Sequence, residues 1–436
     1  MKKIALVSHG CAKNLVDSEI MLGLLAQNGY GITLDETESD IVIVNTCAFI
    51  NDAERESIHS ILEMIEEGKK VIVAGCLAQK HKDELKKEIP EIAGMIGPTD
   101  IDKLIDILKE IDSDYTAQIS SNPDYTYLEN VERQQITVGA SSYLKIADGC
   151  NYRCGYCIIP YLRGDYRSRS IEHILDEAKK LVTKGVSEIV LIAQDTTAYG
   201  IDLYGKPMLK ELLEKLNEIE GLGWIRIMYA YPTMMTDDLL DAIARLDKVV
   251  KYVDIPLQHS HPDMLKAMNR PSFDYRELVN NIRKHIPNVG IRTAFIVGYP
   301  GETEDQFEHL YEFVKDMKFN KMGVFTYSRE KGTPSYNMRP LVPKKIMNER
   351  QKKLMLLQQE ISLEVNKSFI GKTLDCIIEG VTDDGMIIAR SQYDAPEVDG
   401  VVYIKTNIPV VPGDIEQVKI TDCYEYDLIG EIISNQ

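Results

Sequence analysis

The 436-residue sequence holds a single tryptophan, no low-complexity tract, no internal repeat beyond alternating strand-like and helix-like runs, and no uninterrupted apolar stretch of about 18 residues. Without such a stretch nothing predicts a membrane span, and the apolar run at the N-terminus is too short for a secretory h-region. A cytoplasmic protein is expected. Basic residues are also scarce, 50 Lys and Arg against 68 Asp and Glu for a net charge of −18, which argues against general nucleic-acid binding driven by phosphate neutralisation. Cysteines number only 8, and in a reducing compartment they do not form a disulfide framework, so clustered ones read as metal or redox ligands. What the chain does have, 44% hydrophobic and 27% charged residues, suffices for ordinary cores and excludes disorder or a collagen-like fibre. Its length predicts about three domains.

Strand-length apolar runs at 3–8, 41–46 and 71–75 alternate with amphipathic helical stretches near 18–28 and 53–68. That alternation predicts a doubly wound parallel α/β domain over residues 1–115. Residues 116–135 are polar, lack a sustained period and read as a linker. Six further strands follow, at 143–147, 188–194, 224–230, 252–257, 291–297 and 322–327, with helical patterns between them. In the helix over 171–184, Ile171, Ile174, Leu175, Ala178, Leu181 and Val182 share one stripe and the charges take the other face. Repeated β/α units of this length predict a partial (β/α)6 barrel over 136–368, trailed by a charged helix at 344–368. Residues 369–436 change character to short β-runs at 374–379, 386–389, 401–405 and 415–420, a small antiparallel OB-like β-barrel. The fold class is α/β.

The sharpest chemical signal is Gly149-Cys150-Asn151-Tyr152-Arg153-Cys154-Gly155-Tyr156-Cys157, just after the first barrel strand. Three thiolates on one short loop can hold three irons of a four-iron cubane and leave the fourth open to a substrate. A structural zinc site would ask for four ligands, and no histidine follows closely to supply the fourth. The position agrees, because β/α barrels gather their active sites on the loops after the strands. Gln194 and Asp195, Tyr231 and Pro232, Gln258 and His259, Gly298-Tyr299-Pro300-Gly301-Glu302, and Ser328 and Arg329 stand at the ends of the later strands; each alone reads more often as a capping residue, and together they predict a polar pocket.

Cys11, Cys47 and Cys76 are dispersed, yet each comes within three residues of the end of an early strand and before the next helix. In a parallel sheet those points lie along one edge, where doubly wound folds bind ligands, and a helix N-terminus favours a thiolate. They are predicted as a second ligand set, against the alternative of three buried small apolar residues. Cys376 and Cys423, within or beside the last β-runs, read as core thiols.

The CxxxCxxC loop resembles that of the radical S-adenosylmethionine enzymes, in which the open iron is chelated by the amino and carboxylate groups of S-adenosylmethionine. The resemblance implies that Cys150, Cys154 and Cys157 hold a [4Fe-4S] cluster and that Tyr156 lies against the adenine, a position packing could equally explain. The whole chain is similar to the methylthiotransferases within that superfamily, which join a cysteine-bearing α/β domain, a radical barrel and a β-barrel of the TRAM type. The motifs that carry this are Gly10-Cys11-Ala12-Lys13-Asn14-Leu15-Val16-Asp17-Ser18-Glu19, Asn45-Thr46-Cys47, Ala74-Gly75-Cys76, Arg163-Gly164-Asp165-Tyr166-Arg167-Ser168-Arg169 and Gly298-Tyr299-Pro300-Gly301-Glu302-Thr303. In that family Cys11, Cys47 and Cys76 would bind a second, auxiliary [4Fe-4S] cluster. Gln194, Gln258, Gly298, Gly301 and Glu302 would contact S-adenosylmethionine, whose zwitterion and ribose need polar groups and close backbone approach. Arg163, Arg167 and Arg169 read either as a cationic strip facing substrate or cofactor or as solvated arginines before a helix.

Family members act either on N6-isopentenyladenosine in tRNA or on an aspartate of ribosomal small-subunit protein uS12. The motif after Gly10 and Arg390-Ser391-Gln392-Tyr393-Asp394-Ala395-Pro396-Glu397-Val398-Asp399-Gly400 resemble the second branch, with Ala12 standing where that branch usually has proline. From residue 371 on, four basic residues face thirteen acidic ones, a surface that disfavours tRNA and suits a basic ribosomal-protein loop, or that serves only solubility. The resemblance implies a radical drawn from S-adenosylmethionine at the barrel cluster and methylthio transfer from the auxiliary one. It names no general acid or base, because no side chain of ordinary pKa activates the β-carbon of aspartate. uS12, free or in the ribosome, and an electron donor such as flavodoxin or ferredoxin are the expected partners. A non-catalytic iron–sulfur carrier is the reading of another class, and the elaborate barrel rim argues against it.

Overall fold

The computed structural model describes residues 2–48, 51–112, 115–121, 123, 127–128, 130–136, 139–382, 385–405 and 409–433, for 51 and 52 the backbone alone. Residues 122, 124–126 and 129 of the stretch read as a linker lie outside the described residues. The chain divides into two compact units. The first comprises Met1–Val138, Ala147–Arg153 and Cys157–Arg167; the second comprises Gly139–Ile146, Cys154–Tyr156 and Ser168–Gln436. Among the described residues no helix is long and apolar enough to cross a membrane.

The first unit is built on a six-stranded parallel sheet. Its strands are β1 (Lys3–Ser8), β2 (Gly31–Ile32), β3 (Ile41–Thr46), β4 (Lys70–Gly75), β5 (Gly94–Ile96) and β6 (Thr116–Gln118), in the spatial order β2-β1-β3-β4-β5-β6. Every residue of β3 is buried, so the strand reads as a continuous Ile-Val-Ile-Val run rather than an alternation. The crossovers are α1 (Ala12–Gln27), α2 (Asn51–Glu66), α3 (Cys76–Glu88) and α4 (Leu104–Glu110). The strand order reverses between β1 and β3, the kind of crevice where doubly wound sheets bind ligands. β6 falls within the stretch that reads as a linker and extends this sheet. α5 (Ile159–Arg163) also belongs to this unit, its Leu162 packed with Leu77, Val73 and Ala78.

In the second unit β7 (Ser141–Lys145), β10 (Glu188–Ile192) and β11 (Trp224–Ile227) form one parallel sheet, and β12 (Tyr252–Asp254), β13 (Gly290–Val297) and β14 (Lys321–Thr326) form another. The two-residue strands β8 (Ala147–Asp148) and β9 (Arg167–Ser168) flank the CxxxCxxC loop and α5. Ala230 N–H donates to Asp254 O at 2.8 Å across the seam between the two three-stranded sheets, giving the partial barrel of six strands. The outer helices bury one stripe each; in α6 (Ile171–Thr183) it is Ile171, Ile174, Ala178 and Leu181. Ser170 caps α6, and a Thr303–Gln306 capping box opens α12 (Glu304–Met317). The remaining helices α7 (Ile201–Tyr204), α8 (Leu209–Asn217), α9 (Asp237–Arg245), α10 (Pro262–Ala267) and α11 (Tyr275–His285) lead to the 24-residue α13 (Lys344–Lys367).

The chain ends in a closed barrel of five strands, β15 (Thr373–Val381), β16 (Ile387–Ser391), β17 (Val402–Ile404), β18 (Ile415–Cys423) and β19 (Leu428–Ile432). β19 is one strand more than the sequence showed, and its pairing with β17 is parallel, so the barrel is not wholly antiparallel. Cys376 is a core thiol here; Cys423 is half-buried against the same core. The segment from Arg390 to Gly400 docks on the starting ends of the β/α strands. Arg390 bonds Glu188, Arg226 Nη1 donates to Gln392 O at 2.9 Å, Tyr252 O–H donates to Asp399 at 2.6 Å, and Lys321 pairs with Asp394 at 2.7 Å. Burial opposes the Glu188 charge, yet Arg226 and Arg390 hold its carboxyl down to about 2.

Candidate functional site

Register brings the dispersed cysteines to one place. Ser8 pairs with Asn45 and Asn45 with Ala74, so one row crosses β1, β3 and β4, and Cys11, Cys47 and Cys76 stand two or three residues beyond it on neighbouring strands. Two glycines let the loops close. Gly10 has φ +99°, and a Cβ there would meet Cys47 Cβ at 2.7 Å; Gly75 has φ +90°, and a Cβ would lie 2.4 Å from Asn45 Oδ1.

Polar residues of the first motif stitch the same edge. Asn14 Nδ2 donates to Thr46 O at 3.0 Å, Asn45 Nδ2 donates to Asn14 O and to Ser18 Oγ at 2.8 Å each, and Cys47 N–H donates to Ser57 Oγ at 3.2 Å. Asn14, Asp17, Ser18, Glu19 and Asn45 are all buried, which a helix interior and a strand end tolerate only when such groups are hydrogen-bonded. Glu19 pairs with Arg133 at 3.1 Å. Arg163 reaches this edge from α5, donating to Asn14 Oδ1 at 2.8 Å and pairing with Asp17 at 3.0 Å and Asp148 at 2.8 Å.

Around Cys11 the packed chain penalises a thiolate, but Lys13, Arg163 and the N–H groups of Asn14 and Lys13 outweigh it and hold the thiol below its usual range. Burial wins at Cys76, aided by Cys11 and Cys47, and pushes its thiol up to about 12 although Arg163 opposes. None of the eight cysteines is in a disulfide. Among the described residues no three His, Cys, Asp or Glu side chains stand close enough to share one metal ion. A cubane is another matter, since each cysteine binds a different iron. Three soft sulfurs converging on an edge that carries a buried cation fit such a group.

Of the CxxxCxxC loop, Gly149–Arg153 and Cys157 belong to the first unit and Cys154–Tyr156 to the second. On the first side, Cys150 N–H donates to Gly164 O at 3.1 Å, and Gly149 N–H donates to the Asp148 carboxylate at 2.9 Å. In the second, Gly155 N–H donates to Met268 O at 2.8 Å and Gly155 O accepts from Ser335 N–H at 2.9 Å, seating Cys154, Gly155 and Tyr156 on the barrel. Tyr156 packs against Met264, Met268, Tyr299 and Tyr327, with Met338 and Met347 alongside. Arg270, buried beside Cys154 and Tyr156, donates to Pro256 O at 2.6 Å and lies over the Tyr231 ring.

The rim residues have distinct fates. Asp195 accepts from Thr197 N–H at 2.8 Å, a cap of its own loop. Gln194 and Gln258 are half-buried. Gln258 holds φ +71° while its backbone bridges Phe295, a left-handed conformation costing about 1–3 kcal/mol that clusters at binding sites. The Glu302 carboxylate accepts from His259 Nε2 at 3.1 Å, from Arg350 at 2.7 Å and from Gly298 N–H. Burial pushes the His259 imidazole down, and His261 N–H donates to its Nδ1, so the proton facing Glu302 sits on Nε2. Ser328 bonds Glu330, and Arg329 donates to Tyr336 O at 2.7 Å. Of the three arginines read either as a strip facing substrate or cofactor or as solvated, Arg163 is buried as above, Arg167 donates to Arg163 O at 2.9 Å, and Arg169, also buried, donates to Lys145 O and pairs with Glu177, each at 2.7 Å.

Sequence reasoning passed over Asp148, His259 as the partner of Glu302, Arg270 and Arg350. Only the first had a local signal, a carboxylate directly before a Gly-Cys turn.

Three family descriptions match the chain: Uncharacterized protein family UPF0004 over residues 3–97, Radical SAM superfamily over 144–314 and TRAM domain over 370–433. A protein of a Thermoanaerobacter species named ribosomal protein uS12 methylthiotransferase RimO is 48% identical over 437 residues, covering 99% of this chain and 100% of the relative. A Microcystis aeruginosa protein of the same name is 47% identical, covering 98% of each chain. Among solved structures, the radical S-adenosylmethionine methyltransferase TsrM from Kitasatospora setae, with cobalamin and a [4Fe-4S] cluster bound, superposes with a TM-score of 0.56 at 14% identity, covering 77% of this chain and 74% of that one. At that identity the likeness is one of fold.

Proposed function

We propose, on the premise that this chain belongs to the ribosomal protein uS12 methylthiotransferase RimO family, that it replaces a hydrogen on the β-carbon of a uS12 aspartate with a methylthio group. The observation that carries the reading is the meeting of Cys11, Cys47 and Cys76 on adjacent strand ends, in a chain that members of this family match from end to end. On this reading Cys150, Cys154 and Cys157 hold one [4Fe-4S] cluster and Cys11, Cys47 and Cys76 hold another. When bound, the clusters and S-adenosylmethionine supply a carbon radical strong enough to take the hydrogen and a methylated sulfur to replace it.

The residues of the chain bind, orient and shield. The seat formed by Met268 O and Ser335 N–H fixes Gly155 and so aims Cys154 and Tyr156. Tyr156, in its Met and Tyr surroundings, offers an aromatic face to an adenine. Gln194 and Gln258 supply amides for the amino-acid end of S-adenosylmethionine. Gly298 and Gly301 let the β13 loop approach the cofactor closely. Glu302 acts through that loop, since His259, Arg350 and the Gly298 N–H already engage its carboxylate. Electrons come from a small donor such as flavodoxin or ferredoxin, and a ribosomal substrate places the enzyme in the cytoplasm.

The test is anaerobic turnover of the iron- and sulfide-reconstituted protein with S-adenosylmethionine and a reductant, offering uS12 and unmodified tRNA in parallel, then mass spectrometry of each. The reading expects uS12 alone to gain SCH₃ in place of H on an aspartate. Modification of the tRNA alone sinks the substrate assignment and leaves the two-cluster chemistry standing.

A further inference from the structure

Among the described residues, Arg163 is the one side chain whose bonds reach both cysteine scaffolds within the first unit. Its Nη1 donates to Asp148 at 2.8 Å, and the other oxygen of that carboxylate accepts from Gly149 N–H at 2.9 Å, directly before Cys150. The residue after it, Gly164, accepts from Cys150 N–H at 3.1 Å. Its Nη2 donates to Asn14 Oδ1 at 2.8 Å and to Asp17 at 3.0 Å, both on the first turns of the helix that Cys11 opens. Asn14, which Arg163 engages, donates in turn to His9 O at 3.1 Å and Thr46 O at 3.0 Å, carbonyls that lead into the Cys11 and Cys47 turns. It is 2% exposed, and Asp17 and Asp148 are equally enclosed, so these charges interact with little screening by water.

Two carboxylates and one guanidinium would already make a satisfied buried group. The bond to Asn14, which holds the backbone leading to Cys11 and Cys47, goes beyond that need. An iron–sulfur cluster's reduction potential follows the net charge around it, and Arg163 brings a buried positive charge to the edge where those cysteines stand. Arginine suits the place, since its planar fork serves several acceptors at once and keeps its charge when buried.

We propose that Arg163 is a positioning residue that ties the Cys150 loop to the auxiliary cysteines and raises the reduction potential of the group those cysteines hold. The inference rests on the reading that Cys11, Cys47 and Cys76 bind a cluster. A lysine there keeps the charge and loses the fork; a glutamine loses the charge.

The experiment uses the full chain with Cys150→Ala, Cys154→Ala and Cys157→Ala, so that only the auxiliary group is loaded. After anaerobic reconstitution, the midpoint potential is read by EPR-monitored titration in this background and with Arg163→Gln, Arg163→Lys or Asp17→Asn added. Arg163→Gln is expected to move the midpoint to more negative potential, Arg163→Lys to restore most of the difference, and Asp17→Asn, which leaves the cation less neutralised, to move it the other way. Unchanged midpoints at unchanged iron content overturn the proposal, and Asp17→Asn carries the test if Arg163→Gln does not fold. A background protein that takes up no cluster, with no thiolate-to-iron absorbance at roughly 400 nm, overturns the reading itself and the inference with it.

Discussion

Gly75 and Asn45 stand so close that a methyl group on the glycine would lie 2.4 Å from the amide oxygen of the asparagine. The contact belongs to the edge where Cys47 and Cys76 meet, and Gly75 holds φ +90° there. Gly75→Ala is therefore expected to cost about 1–3 kcal/mol of stability through left-handed strain, beyond whatever the clash adds. It is also expected to spread the auxiliary cysteines, so iron per chain after reconstitution falls to roughly half while 5′-deoxyadenosine is still formed. Full iron loading in the variant would count against the convergence of the three thiols as the reason for the glycine.

The two cysteine sets are expected to separate by activity. With Cys150, Cys154 and Cys157 changed to Ala, cleavage of S-adenosylmethionine stops and iron remains on the other set. With Cys11, Cys47 and Cys76 changed instead, cleavage continues and methylthio transfer stops. Chromatography of 5′-deoxyadenosine beside mass spectrometry of uS12 reads both.

Glu302→Gln removes the charge that Arg350 and His259 share and loosens the β13 loop at Gly298. A hydrogen bond to a charged group contributes about 1.5–3 kcal/mol, so the KM for S-adenosylmethionine is expected to rise roughly ten- to a hundredfold with iron content unchanged. A change in kcat alone would show that the residue does not act through cofactor binding.

The ion cluster beneath the β/α strands makes stability depend on acid. The Glu188 carboxyl is held at about 2 in the folded protein, below its unfolded value of about 4.3. Its contribution is therefore complete above the unfolded value and is lost as pH falls from there towards 2. Glu188→Gln leaves Arg226 and Arg390 without their carboxylate and is expected to destabilise by about 3–5 kcal/mol at neutral pH, a gap that narrows below pH of about 4. Denaturant unfolding of both proteins across this range reads the effect; a gap independent of pH would assign the loss to packing.

Much of this was legible in the residues. β1 and β3 run as read because uninterrupted Ile and Val in a parallel sheet leave no other element to choose. β19 escaped notice because Gly430 and Glu431 interrupt its pattern, and only pairing with β17 and β18 makes it a strand. β5 and β6, three residues each, are likewise held by their neighbours. Cysteine spacing announced the chemistry. It could not show what surrounds the thiols, since Arg163 meets Asp17 and Asn14 across separations of 146 and 149 residues. The stretch from Arg390 to Gly400 carries a further lesson. Several of the charges counted as an acidic surface are committed: Arg390 to Glu188 and Glu379, Asp394 to Lys321, and Asp399 to Tyr252 and Arg292. Only a three-dimensional pairing distinguishes such a plug from a docking face.

That plug also sets an order of events during synthesis. Glu188 and Arg390 are 202 residues apart in the chain, so at about 5–20 residues per second the ribosome works for roughly 10–40 s after making the first before it makes the second. Throughout that interval the starting ends of the barrel strands lack their cover, and Glu188 has Arg226 and the Ser141 hydroxyl but not the second arginine. The nascent chain therefore carries a half-neutralised ionic floor that no local rearrangement can close. A transcript truncated anywhere before codon 390 is expected to yield a barrel that quality-control proteases treat as unfinished.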